Sequence, residues 1–210
     1  HRRFGKTVCM INHLIKSALT CKEKNPRFAY LAPTFKQAKS IAWDYMKQFT
    51  DKIPNTKFNE TELRVDLPNG ARITLLGSDS PDGLRGIYLD GCVIDEYANV
   101  NSRLFPEVIR PALSDRKGYC VFIGTPAGMN NNFYELYQHA NGAEDWFNYK
   151  AKASDTKIVD EDELVKAKEV MGEKKYNQEF ECDWIANIEG AVYGDVVGEM
   201  DDSNKLTRVP

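Results

Sequence analysis

An α/β fold, a mostly parallel sheet flanked by helices, is predicted by three observations. Short apolar runs of strand length alternate along the chain with amphipathic segments at helical spacing. The runs at 27–32, 91–94 and 119–123 carry almost no polar residue, as expected of strands buried on both faces. Each run stops at polar or breaking residues: Pro33-Thr34, Asp95-Glu96 and Gly124-Thr125-Pro126. Polar groups at the carboxyl ends of buried strands are where a doubly covered parallel sheet builds its ligand site.

Residues 8–19 have apolar side chains at helical spacing and predict the first helix. Residues 27–32 (RFAYLA) follow as a strand. Residues 35–49 predict an amphipathic helix with Ile41, Tyr45 and Phe49 on one face. Residues 58–67 and 71–76 read as two strands joined by a Pro68-Asn69-Gly70 turn. Residues 78–86, rich in Ser, Asp, Pro and Gly, read as a loop before the strand at 91–94. Ser102 is expected to cap a helix reaching Leu113, restricted by Pro106 and Pro111. After the 119–123 strand come a helix at 132–139, a strand at 146–151 and helices at 160–171 and 174–182. Asp160, Glu161, Asp162 and Glu163 suit the positive end of the dipole of the 160–171 helix and need no metal.

The 210 residues suffice for one sizeable α/β domain, and 42% hydrophobic with 28% charged residues is ordinary globular composition. A net charge of −3 neither demands nor excludes a nucleic-acid partner, because a local basic groove can exist on an acidic protein. The five cysteines show no C-x-x-C spacing and read as reduced, mostly buried thiols of a cytosolic protein. No run is apolar over the ~20 residues a membrane span requires. Trp43, Trp146 and Trp184 read as core, and Lys36, Lys39 and Lys47 as a solvated helix face.

Chemistry concentrates in four places. Gly5-Lys6-Thr7 matches the end of a phosphate-binding loop: backbone N–H groups cradle phosphates, Lys6 reaches the β- and γ-phosphates, and the Thr7 hydroxyl ligates Mg²⁺. The following helix adds the positive end of its dipole. Cys92-Val93-Ile94-Asp95-Glu96 is an apolar strand running into two acids. The first suits a metal, directly or through water, and the second suits a base that accepts a proton from attacking water. Thr125, after a buried strand, places a hydroxyl where hydrolysis can be sensed and coupled to motion. Arg2, Arg3 and Arg85 are candidates to neutralise charge on a transferring phosphoryl group. The bland alternatives are a helix start, a strand end with solvated acids, a simple turn and solvated arginines. The first two motifs together favour a nucleotide site.

These motifs, in this order, resemble the large terminase subunits of tailed bacteriophages, the motors that package viral DNA. His1-Arg2-Arg3-Phe4-Gly5-Lys6-Thr7 is similar to that family's variant phosphate loop, with His1 where a small residue is usual. Leu31-Ala32-Pro33-Thr34 with Gln37-Ala38 resembles the next helicase-like motif. Ser78 through Gly86 resembles the loop before the acidic strand, Cys92 to Glu96 that strand, and Gly124-Thr125-Pro126 the coupling motif. The resemblance implies a phosphate-loop NTPase fold (RecA/ASCE-like) whose first strand lies upstream of His1. It implies ATP and Mg²⁺ as ligands, Arg2, Arg3, Gly5, Lys6 and Thr7 on ATP, and Thr7 with Asp95 on Mg²⁺. Glu96 activates water. Arg2 acts within the subunit, Arg85 reaches a neighbour's ATP, and Thr125 couples hydrolysis to movement.

The implied partners are double-stranded DNA, the portal protein of the procapsid, the terminase small subunit and further copies in a ring, with no membrane. The implied place is the host cytoplasm, transiently on the procapsid. Residues 1–185 are expected to form the ATPase domain, truncated at its N-terminus. Residues 186–210 would be a linker opening a nuclease domain, Glu189 to Asp195 resembling the lead into it. A DNA-dependent ATPase of the helicase or translocase type is the rival enzyme, though a second motor domain does not fit this length. A nucleotide-binding assembly module is the rival from another class, and Glu96 argues against it.

Overall fold

The computed structural model describes residues 1–185; the expected linker at 186–210 lies outside the described residues. Residues 5–124 form one compact unit, and His1–Phe4 with the residues from Thr125 onward form another. This is a division inside 1–185 that the sequence pattern did not suggest.

The first unit is the α/β body. Its elements are α1 (Lys6–Thr20), β1 (Arg27–Ala32), α2 (Phe35–Ala38), α3 (Asp44–Thr50), β2 (Lys57–Asn59), β3 (Arg64–Asp66), β4 (Arg72–Gly77), β5 (Gly91–Ile94), α4 (Arg110–Ser114) and β6 (Tyr119–Phe122). One six-stranded sheet runs β2-β3-β4-β1-β5-β6. β4, β1, β5 and β6 are mutually parallel, and β2 and β3 extend the sheet as an antiparallel ribbon. The carboxyl ends of the parallel strands thus share one edge of the sheet.

Alternation along the strands builds the core. Phe28, Tyr30 and Ala32 of β1, Ile73 and Leu75 of β4 and Val93 of β5 form one buried face, in the register Phe28 to Ile73 and Tyr30 to Leu75 and Val93. Ile11, Leu14, Ile15 and Ala18 of α1 and Trp43 and Met46 pack with them. The alternate residues Ala29, Leu31, Cys92 and Ile94 are buried too, so the central strands are covered on both faces, as the continuous apolar runs require. Beside them Phe122 of β6 meets Tyr97 and Phe105 edge-on, at 4.7 and 4.8 Å between ring centroids.

Four expectations for this unit are corrected. The helix predicted over 35–49 is α2, a π-helical turn at Lys39–Trp43 and α3 in succession. The wider turn shifts the buried face to Ala38, Ala42, Trp43 and Met46, while Tyr45 is exposed and stacks on Phe49 at the rim. The single strand predicted over 58–67 is two, β2 and β3. Asn59 Oδ1 accepts the backbone N–H groups of Thr61 and Glu62 at 3.0 and 2.9 Å and Leu63 is left-handed (φ 47°), which reverses the chain. Ser102 does not cap the helix after the acidic strand, which starts without a side-chain cap hydrogen bond; in the turn before it Asn101 Oδ1 accepts the Arg103 N–H at 3.0 Å. That helix opens as a π-helical stretch, Phe105–Ile109, before α4, a form that suits Pro106 and Pro111. Of this unit's four cysteines, expected to be mostly buried, Cys92 is buried, Cys21 and Cys120 half-buried and Cys9 exposed; Cys182, in the second unit, is buried, and all five are free thiols.

The second unit holds α5 (Asn132–Ala140), α6 (Ala153–Thr156), α7 (Glu161–Met171) and α8 (Glu173–Phe180). Asn131 caps α5 and Asp160 caps α7 through their side-chain oxygens. Residues 146–151 are irregular rather than a strand. Phe147 and Tyr149 are exposed, and apolar alternation without a neighbour to supply a hydrogen-bond ladder makes no sheet. Trp43 is core as expected, whereas Trp146 and Trp184 are half-buried; Trp184 lies against Phe133, Tyr134 and Tyr137 of α5. Among the described residues no helix is long and apolar enough to cross a membrane.

Candidate active site

Gly5 precedes α1 in the left-handed region (φ 84°), where a residue with Cβ is strained; open space surrounds it, so backbone conformation alone demands glycine. The turn delivers Lys6 and Thr7 to the first turn of a 15-residue helix, whose leading N–H groups have no intrahelical acceptors. Such an end attracts anions.

Asp95 arrives from β5, beside β1 in the sheet. The Asp95 N–H donates to the Leu31 carbonyl at 2.8 Å, extending the ladder one residue past the strand, and the residue is 3% exposed. The Thr7 hydroxyl donates to Asp95 Oδ2 at 3.0 Å, and the Glu96 N–H donates to Oδ1 at 2.8 Å. The two motifs that the sequence separates are therefore in direct contact. A hydroxyl and a carboxylate sharing a hydrogen bond are hard oxygen ligands, and one carboxylate with substrate phosphates is the set Mg²⁺ prefers. Among the described residues no cluster of three or more His, Cys, Asp or Glu could hold a metal without such phosphates.

Tyr30 is the site residue that sequence reasoning missed. Its hydroxyl, fully buried in β1, also donates to Asp95 Oδ2. Burial, and then the Asp95 charge, push the phenol far above its ordinary range, so it stays a neutral donor. The available signal was a tyrosine inside an otherwise aliphatic strand: a buried phenol needs an acceptor, and the neighbouring strand ends in an acid.

Glu96 follows in a left-handed conformation (φ 49°, ψ 45°), uncommon for a residue with Cβ, at a cost of about 1 kcal/mol. This turns the chain sharply out of β5 into the 3₁₀ turn Tyr97–Asn99 and leaves the side chain half-buried.

Arg85, half-exposed, bonds to Asp82 at 2.9 Å and Glu107 at 3.3 Å. In the other unit, the Arg2 guanidinium is 3.9 Å from Glu179, and its N–H donates to the Glu179 carbonyl at 2.8 Å. Arg3 is exposed with φ 66°, and Thr125 is half-buried in an irregular segment. His1, at the loop position where a small residue was expected, is 3% exposed; its ring bonds Thr156 Oγ1 at 2.7 Å and the Arg2 carbonyl at 2.6 Å.

A family profile described as terminase large subunit, T4likevirus-type, N-terminal, matches residues 2–194. The chain is 30% identical over 126 residues to the terminase large subunit of Thermus phage G20c, an overlap of 51% of this chain and 26% of that protein. It has the same identity and overlap with the terminase large subunit of Thermus virus P23-45. The chain thus spans about a quarter of the length of the curated relatives it matches. The large terminase ATPase domain of Thermus phage P74-26 superposes with a TM-score of 0.72 at 21% identity, over 87% of this chain and 85% of that one. The large terminase of another thermophilic bacteriophage, in complex with ATP-gamma-S, gives 0.70 at 16% identity, over 87% of this chain and 45% of that one. These structural likenesses are of fold: the α/β architecture with a mostly parallel sheet, expected from the sequence, is shared with large terminase ATPase domains.

Proposed function

The chain belongs to the terminase large-subunit family as its N-terminal part, and from that premise we propose that it is a Mg²⁺-dependent ATPase domain powering entry of double-stranded DNA into a procapsid. The observation that carries this is the Thr7 to Asp95 hydrogen bond, which joins the end of the phosphate loop to the acidic strand in one place.

In this reading Arg2, Arg3, Gly5, Lys6 and Thr7 bind ATP. Lys6 bridges the β- and γ-phosphates, and the helix end receives their charge. Thr7 and Asp95 would hold Mg²⁺, directly or through water, and the chemistry it would supply there is Lewis-acid stabilisation of phosphate charge. Glu96 orients water and takes its proton as the water oxygen bonds to the γ-phosphorus. The bond to the β–γ bridging oxygen breaks and ADP departs. Arg2 within the subunit and Arg85 from an adjacent one neutralise the charge that develops. Thr125 couples the outcome to movement.

Residues 1–185 act as this ATPase domain, residues beyond lead toward an endonuclease domain, and the parent protein works as a ring on the portal with the small subunit. Its place is the host cytoplasm and, during packaging, the procapsid.

The test is ATP hydrolysis by the full-length parent protein with Mg²⁺, with and without portal-bearing empty capsids and linear DNA. Strong stimulation that is lost in Glu96→Gln supports the reading. Stimulation by DNA alone, with strand separation and no DNA protected in capsids, replaces it with a helicase.

A further inference from the structure

Arg85 leaves the 3₁₀ turn Pro81–Leu84, and its guanidinium is held by two different carboxylates. Nε donates to Asp82 Oδ1 at 2.9 Å, across its own turn. Nη2 donates to Glu107 Oε2 at 3.3 Å, on the π-helical segment Phe105–Ile109. Glu107 is itself fixed: Arg103 Nε and Nη2 grip its two oxygens at 2.9 and 2.8 Å in a bidentate pair. The Arg103 hydrogen bonds hold Glu107 below the usual carboxylate range, and the Arg85 hydrogen bond does the same for Asp82, so both acceptors stay charged at neutral pH.

A guanidinium is planar, with one side edge formed by Nε and one terminal nitrogen. Both contacts of Arg85 use that side edge, and Nη1 takes part in neither. A long arginine on a Gly- and Pro-rich loop would otherwise sample many rotamers and lose that freedom on meeting a phosphate. Here the π-helical segment Phe105–Ile109 holds the guanidinium through Glu107, while a local turn holds it through Asp82.

We infer that Asp82 and Glu107 are positioning residues for Arg85, gripping the side edge of its guanidinium so that Nη1 is kept for a phosphoryl oxygen of nucleotide bound by an adjacent subunit. The inference rests on the proposed role of Arg85 and adds what aims it. Surface ion pairs contribute little to stability, so their loss separates aiming from folding.

The experiment measures capsid- and DNA-stimulated ATP hydrolysis by the full-length parent protein. Asp82→Asn, Glu107→Gln and the double variant are each made with Arg85 intact and with Arg85→Ala. With Arg85 intact, the double variant is expected to lower kcat roughly fivefold to tenfold at unchanged KM for ATP. In the Arg85→Ala background the same changes are expected to cost nothing further, and thermal melting is expected to stay where it was in both. Equal losses in the two backgrounds, equal drops in melting temperature, or no loss beside a marked effect of Arg85→Ala would overturn the positioning role. No effect of Arg85→Ala itself would instead remove the proposed role of Arg85, and this inference with it.

Discussion

Asp90 and Asp95 stand at the two ends of the same strand, β5, both buried, and they are used in opposite ways. Asp90, at the amino end, accepts the Arg27 N–H at 2.7 Å and has the Arg116 guanidinium 3.6 Å away. Its partners are a main-chain group with no alternative acceptor and a fixed cation. Asp95, at the carboxyl end, accepts two neutral side-chain hydroxyls, from Thr7 and Tyr30, and the N–H of the next residue. No arginine or lysine pairs with it among the described residues, in contrast to Asp90. A carboxylate already neutralised by a guanidinium has little to offer a second cation. One surrounded by hydroxyls keeps its charge available, and a hydroxyl can turn its oxygen lone pairs to the same ion. The amino end of the strand is thus tied to a guanidinium, while the carboxyl end carries a carboxylate with no cationic partner among the described residues, the end to which the proposed function assigns the metal.

Substitutions can break this contrast. The largest effect is expected beside Asp95: Glu96→Gln should lower stimulated ATP hydrolysis by about 100-fold or more while nucleotide binding and melting temperature hold, since the isosteric amide cannot take a proton. Steady-state turnover with a fluorescent-nucleotide binding assay checks it. Retained turnover would move the base to another residue.

Next is the pair itself. Asp90→Ala should destabilise the fold by about 2 kcal/mol, because it leaves the Arg27 N–H without its acceptor, and leave hydrolysis per folded molecule intact. Asp95→Asn should do the reverse, removing Mg²⁺-dependent nucleotide binding with a smaller loss of stability. Urea denaturation and Mg²⁺-dependent binding, measured on both variants, decide whether the two ends differ. Two equally destabilised, equally active variants would erase the contrast.

The smallest effect is expected of Tyr30→Phe. One of two hydroxyls on Asp95 Oδ2 is lost, for about 1 kcal/mol of stability and a roughly two- to fivefold change in the Mg²⁺ concentration that half-saturates nucleotide binding. A Mg²⁺ titration of binding reads the second quantity, and an unchanged midpoint would reduce Tyr30 to packing.

The central strands were legible because burial on both faces writes an unambiguous apolar run, and β1 and β5 begin and end where that pattern predicts. The meeting of Thr7 with Asp95 was legible for a different reason: a parallel sheet gathers its strand ends at one edge, so a loop motif and a strand-end motif have one place to meet. What escaped the sequence depends on side chains finding one another across it. The Asn59 turn is a side-chain to backbone contact inside a run that alternates well enough to pass for one strand. The π-helical turn at Lys39–Trp43 re-phases a helix without altering its composition. Tyr30 and the carboxylates on Arg85 acquire meaning only from the register and from a helix distant in sequence.

The left-handed backbone at Glu96 sets two kinds of selection against each other. A glycine there would relieve the conformation and raise thermal stability by on the order of 0.5 kcal/mol, yet it would remove the carboxylate. A library screened for heat tolerance would enrich glycine at this position; the same library screened for turnover would discard it. The position thus keeps a residue that the fold, left to itself, would trade away.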